Sequence, residues 1–191
     1  MKKGFTLIEL MVALSIFIVV MTISMGSIIS VFDANRKSRS LKAVLSNLNL
    51  AVESMSREIR FGTNYHCDYL VDTITDPRNC SYPDDGSGSI SFLSSDGDQI
   101  TYRVEYLGGP SAERRIEKRI GPAGGDNWIA VTAPEVIIDN LILTFYVLGA
   151  EAGDDLQPKV IIMIKGHAGA EGKGGSDFAL QTTVSQRALD I

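Results

Sequence analysis

The chain has 191 residues, 45% of them hydrophobic, two cysteines and a net charge of −5. That acidic balance speaks against general nucleic-acid binding, which wants a basic surface, so no nucleic acid is expected as a partner. The length allows one anchor helix and one globular domain of about 125–130 residues.

The N-terminus reads Lys2-Lys3-Gly4-Phe5-Thr6-Leu7-Ile8-Glu9, a short basic leader ending at a glycine. From Leu10 to Phe32 no residue is charged. At about 1.5 Å per helical residue this run spans roughly 30–35 Å, the thickness of a hydrocarbon core. A cleavable secretory signal fits poorly, since its apolar region is shorter and ends in a small-x-small site. Glu9 is costly in a spanning helix and normally has a partner or a job. No Lys, Arg or His lies within helical reach of it on the apolar side.

The helical pattern continues beyond the apolar run. Leu41, Val44, Leu45, Leu48, Val52, Met55 and Ile59 recur at three- and four-residue steps, while Arg36, Lys37, Arg39, Glu53, Arg57 and Glu58 occupy the other faces. No proline interrupts the chain from Phe5 to Asp76. One helix is predicted from about Phe5 to Arg60, some 80–85 Å long, apolar in its first half and amphipathic in its second. Gly26 and the hydroxyls of Ser15, Thr22, Ser24, Ser27 and Ser30 either weaken the first half locally or allow close packing.

Residues 62–88 read as a surface loop rich in Cys, Asp, Pro, Ser and Gly. Strands are predicted at Ser89 to Leu93 and Gln99 to Tyr106 around an Asp96-Gly97 turn, then at Arg115 to Ile120, Trp128 to Thr132, Val136 to Leu148, Lys159 to Lys165 and Phe178 to Ser185. A Gly-rich loop is expected over 166–175. The fold class is α+β, a long N-terminal helix packed on an antiparallel β-sheet.

Chemistry is sparse. His66 and His167 are far apart in sequence and read as exposed loop residues. The glycines around Lys173 fit no phosphate-loop pattern. Asp96 with Asp98, and Asp154 with Asp155, read as turn residues and lack the spacing of a Ca²⁺ loop. Arg114, Arg115, Lys118 and Arg119, interleaved with Glu113 and Glu117, read as a solvated strand face, with DNA capture a minor alternative. Nothing here supplies a catalytic constellation, a metal site or a need for a cofactor, and an enzyme is not expected.

Lys3-Gly4-Phe5-Thr6-Leu7-Ile8-Glu9-Leu10 resembles the N-terminus of type IV prepilins and of the pseudopilins of type II secretion. The resemblance implies cleavage between Gly4 and Phe5 by a prepilin peptidase and N-methylation of Phe5. It implies that Glu9 pairs with the terminal amine of a neighbouring subunit during assembly. It also implies a pilin-like fold with a leader at 1–4, a transmembrane assembly helix at 5–32, its amphipathic continuation at 33–61 and an extracytoplasmic β domain at 62–191. The implied partners are the peptidase, other pilins or pseudopilins met through the N-terminal helix, and an inner-membrane assembly platform. Many major pilins of this family carry a proline where this chain has Gly26, and a partly melted helix there and close packing there are both open readings.

Met55-Ser56-Arg57-Glu58-Ile59-Arg60, Ile100-Thr101-Tyr102-Arg103-Val104 with Glu117-Lys118-Arg119, and Leu180-Gln181-Thr182-Thr183-Val184 with Arg187 are similar to the J-type minor pseudopilins and related minor pilins. These imply a minor structural subunit of a pilus or pseudopilus; a tip module that binds protein, a surface or DNA is the alternative. The family's topology leaves the leader in the cytoplasm and exports the domain from the bacterial cytoplasmic membrane. Charge counting points the other way, because Arg36, Lys37, Arg39 and Lys42 outnumber Lys2 and Lys3. An exported domain would favour a disulfide between Cys67 and Cys80, and a cytosolic one two buried thiols.

Overall fold

The computed structural model describes residues 4–67, 70, 72–80, 88–106, 114–124, 127–134, 136–168 and 176–187. Lys2 and Lys3 of the leader, Glu113 and the Lys173 stretch of the Gly-rich loop lie outside them. In order the elements are α1 (Leu7–Phe61), β1 (Thr63–His66), β2 (Ser89–Leu93), β3 (Gln99–Tyr106), β4 (Arg114–Ile120), β5 (Trp128–Ala130), β6 (Val136–Leu148), β7 (Lys159–Ala168) and β8 (Ser176–Ser185). They fall into two compact units, Met1–Arg39 and Ser40–Ile191.

The first unit is helical from Leu7 onward, and its large apolar side chains are exposed on every side of the helix. A helix apolar all round must be covered by lipid or by other helices. The hydroxyls are compatible with that setting. Ser15 Oγ donates to the Met11 carbonyl, Thr22 Oγ1 to that of Ile18 and Ser24 Oγ to that of Val20, each at 2.8 Å, so these donors need no water. The helix runs through Gly26 without a break.

In the second unit the predicted stripe is buried: Val44, Leu48, Val52, Met55 and Ile59 join one hydrophobic cluster with residues of both sheets, and Leu41 and Leu45 pack against it. The end of α1 is closed by three donors. Gly62 N–H donates to the Ile59 carbonyl and Arg187 N–H to that of Arg60, while Tyr65 Oη lies 2.7 Å from the Ile59 oxygen. Arg187 is thereby fastened to the end of α1.

The expected single sheet is two antiparallel sheets, one ordered β1-β2-β3-β4-β5 and one ordered β6-β7-β8. The loop expected over 62–88 also contains β1, which pairs with β2 and buries only Tyr65. β4 begins one residue earlier than expected, β5 ends two earlier and β7 runs on to Ala168. Gly166, placed in a loop by its glycine neighbours, is a strand residue. A Cβ there would run into the Ile137 carbonyl and the Phe178 ring, so glycine marks a close approach of β6. Between the pairs Ile138↔Gly166 and Leu143↔Ile164, β6 advances five residues against two on β7. That bulge resets the alternation, so Ile138 and Leu143 both reach the core despite their odd spacing.

Cys67 and Cys80 are joined as a disulfide with Cα atoms 5.9 Å apart. The clasp holds its loop to the edge of β6, because Cys80 and Val147 exchange both backbone hydrogen bonds. Closing a loop of this length restricts the unfolded chain, so Cys67→Ser with Cys80→Ser is expected to cost about 3 kcal/mol. Thermal unfolding would show it as a lower midpoint in the double variant that reductant no longer affects.

Candidate processing and assembly site

Thr6 precedes the first helical residue, and Glu9 is the third residue of the helix. Thr6 N–H and Thr6 Oγ1–H donate to Glu9 Oε2 at 2.9 and 2.8 Å, and Glu9 N–H reaches back to Thr6 Oγ1 at 3.4 Å. This is a capping box, in which residues three apart satisfy each other's otherwise orphaned donors. The Thr-x-x-Glu spacing is the sequence signal for it, and the partners of Glu9 are a backbone N–H and a hydroxyl, not a cation. Immediately upstream, Gly4 and Phe5 lie outside the helix, and Phe5 is 89% exposed. Among the described residues no atom lies within 4 Å of where a Cβ on Gly4 would stand. The structure thus places Gly4, Phe5 and Glu9 along one short segment: an exposed non-helical peptide followed by a capped helix start.

In the second unit a separate set of charges ties α1 to the five-stranded sheet. Glu58 Oε1 accepts from Lys118 Nζ at 2.6 Å, and Glu58 Oε2 from Tyr102 Oη at 2.7 Å. Burial, and then the adjacent Glu58 carboxylate, push the Tyr102 phenol well above its usual range. A raised phenol favours folding fully below about pH 10, where a free tyrosine keeps its proton, and the contribution fades as pH rises beyond that. Tyr102→Phe is therefore expected to cost about 1–2 kcal/mol at neutral pH. Above about pH 10 its unfolding midpoint should fall less steeply with pH than that of the parent chain. Equal slopes would show that Tyr102 is not the group responsible.

The basic cluster of β4 is a correction. Strand alternation sends Arg114 and Lys118 to one face and Arg115, Glu117 and Arg119 to the other, so the four cations do not form one patch. Nor is the face solvated: Glu117 and Arg119 are 2% and 4% exposed. Glu117 Oε1 accepts from Arg115 Nε at 2.8 Å and lies 2.7 Å from its Nη2, and Glu117 Oε2 lies 3.3 Å from Arg103 Nη2. Arg103 also pairs with Glu105. The guanidinium carbons of Arg103 and Arg119 stand 3.7 and 4.7 Å from the centre of the Trp128 ring. Burial, and then the like charge of Arg103, pull the Arg119 guanidinium below its ordinary value. Sequence reasoning missed Glu117 as the hub, since one acid among several cations looks like surface decoration.

The remaining candidates are scattered. His66 and His167 lie in β1 and β7 and are half-buried, not exposed loop residues. Asp96 and Asp98 sit in the turn after β2, where both their N–H groups donate to Ser94 Oγ. Asp154 Oδ1 accepts from Leu156 N–H, the ordinary work of a turn aspartate. Among the described residues no three His, Cys, Asp or Glu side chains are grouped to hold a metal ion.

α1 contains a stretch long and apolar enough to cross a membrane, the one such helix among the described residues. A family model described as the prokaryotic N-terminal methylation motif matches residues 1–25. No curated protein and no solved structure matches the chain. The matched residues cover the leader, the capped start of the helix and about the first two thirds of the apolar run, so the likeness is to the N-terminal segment that type IV prepilin-like proteins carry.

Proposed function

We propose that the chain is a minor structural subunit of a type IV pilus or a type II secretion pseudopilus. A prepilin peptidase cuts it between Gly4 and Phe5, and Phe5 becomes a methylated terminus. The observation that carries the reading is the methylation motif over residues 1–25. The geometry supports it in two ways. The peptide to be cut is exposed and outside the helix, while the capping box keeps the helix intact immediately beyond it. The apolar surface of the first unit stores the subunit in the cytoplasmic membrane before assembly and packs against neighbouring subunits afterwards. The domain that follows is exported, a setting in which the Cys67–Cys80 disulfide persists.

Mass spectrometry of the mature protein tests the processing step. A chain beginning at methylated Phe5 is expected. An intact Met1, or a cut elsewhere, would overturn it.

A further inference from the structure

Four strands form the edges of the two sheets, and three are managed as soluble proteins manage them. β5 has three residues. β1 has four, with a register shift and Asn64 in the left-handed region at φ 53°. β6 is broken by its bulge and bridged at Val147 by Cys80. β8 is different. All ten of its residues pair with β7 in unbroken register, and it has no proline and one charge, Asp177.

The phase of the ladder shows which groups face outward. Gln186 N–H donates to the Pro158 carbonyl, so the even-numbered residues of β8 bond to β7. The N–H and C=O groups of Asp177, Ala179, Gln181, Thr183 and Ser185 then point away from the sheet, over roughly 27 Å of strand. The side chains of the same five residues are exposed. Among the described residues no strand pairs on this side.

We propose that β8 is a strand-addition edge and that its occupant is β8 of a second copy, antiparallel about Gln181. A two-fold through an outward-facing residue makes every outward residue meet another, so both ladders are satisfied together. Charge permits the same pairing at this edge. At net −5 two copies repel one another, and this edge brings a single carboxylate from each. Antiparallel pairing sets Asp177 opposite Ser185, Ala179 opposite Thr183 and Gln181 opposite itself, so no like charges meet. The pairing does not depend on cleavage at Gly4 or on filament assembly, and each can fail without the other.

The test uses the full chain in the membranes of expressing cells under mild oxidation. Gln181→Cys places the two thiols on the dyad, with Cα atoms about 5.5 Å apart and within disulfide reach. Thr183→Cys places them roughly 14 Å apart and out of reach. A reducible homodimer is expected from Gln181→Cys at about ten times the yield from Thr183→Cys. Adding Thr183→Pro to the Gln181→Cys chain should return the yield to that background, because it removes an outward N–H that β7 does not use. No dimer from Gln181→Cys, equal yields from the two cysteines, or cross-links to a different protein only would each overturn the proposal. So would a dimer that survives Thr183→Pro.

Discussion

Glu9→Ala is expected to leave membrane insertion and cleavage after Gly4 intact while lowering incorporation into filaments by about tenfold or more. Insertion becomes easier when a carboxylate leaves an apolar run, and the peptide to be cut lies upstream of Glu9, whose carboxylate accepts from Thr6. What the variant lacks is a negative charge at the point where, on the proposed function, a neighbour's new ammonium group arrives. In the isolated chain that charge is occupied by Thr6 N–H and Thr6 Oγ1–H. Two roles are therefore superposed on one carboxylate, and a second variant separates them. Thr6→Val removes the hydroxyl half of the capping box and keeps the charge. If capping is what assembly needs, the two variants fail alike. If charge pairing is what it needs, Glu9→Ala fails far more severely. The amount of each chain in sheared filaments, set against the amount in membranes, measures the difference. Normal incorporation of Glu9→Ala would sink the assembly role.

Elements whose pattern repeats were legible in the sequence, and features set by a single contact were not. The stripe from Leu41 to Ile59 is visible because helical spacing recurs over five turns, and it is buried where expected. Most strands were visible because their residues are β-branched or aromatic and bounded by turn residues. β1 was hidden because Thr63-Asn64-Tyr65-His66 contains one core residue, and its strand character comes from pairing with β2. The split into two sheets depends on which strands pair, which no local pattern records. Gly166 looked like loop punctuation, and only the approach of the Ile137 carbonyl explains why a side chain is refused there.

The sites divide in the same way. The processing segment was legible at once because its residue types and order are unusual together. The Glu58–Lys118–Tyr102 tie was not, since its members lie 44 and 60 residues apart. β3 shows the same limit. Ile100 and Tyr102 do face the core, yet Gln99 and Thr101 on the opposite face are buried as well. Gln99 Oε1 accepts from Ile74 N–H, and Thr101 Oγ1 shares a hydrogen bond with Ser91 Oγ at 2.9 Å. A polar side chain that is buried and satisfied looks like a surface residue until its partner is known.

Glu117→Ala puts the largest stability effect where the sequence suggested a solvated face. The carboxylate is 3% exposed and is shared by Arg103 and Arg115, with Arg119 close enough to Arg103 for their charges to repel. Removing it leaves the part-buried Arg103 with Glu105 alone while the like charge of the buried Arg119 stays close, so desolvation already spent on these guanidinium groups is less well offset. Losing one partner of such a group typically costs about 3–5 kcal/mol. For a folded unit of this size the unfolding midpoint should fall by roughly 10 °C. Arg115→Ala is the comparison. Arg115 is 38% exposed, solvent screens its pairing, and Glu117 keeps Arg103, so that loss should stay below about 1 kcal/mol. Trp128 is the only tryptophan of the chain and stacks against Arg103 and Arg119, so its fluorescence reports this cluster directly. Glu117→Ala should change the emission of the native state as well as the midpoint, while Arg115→Ala changes neither appreciably. Equal midpoints for the two variants would mean that Glu117 is not the hub.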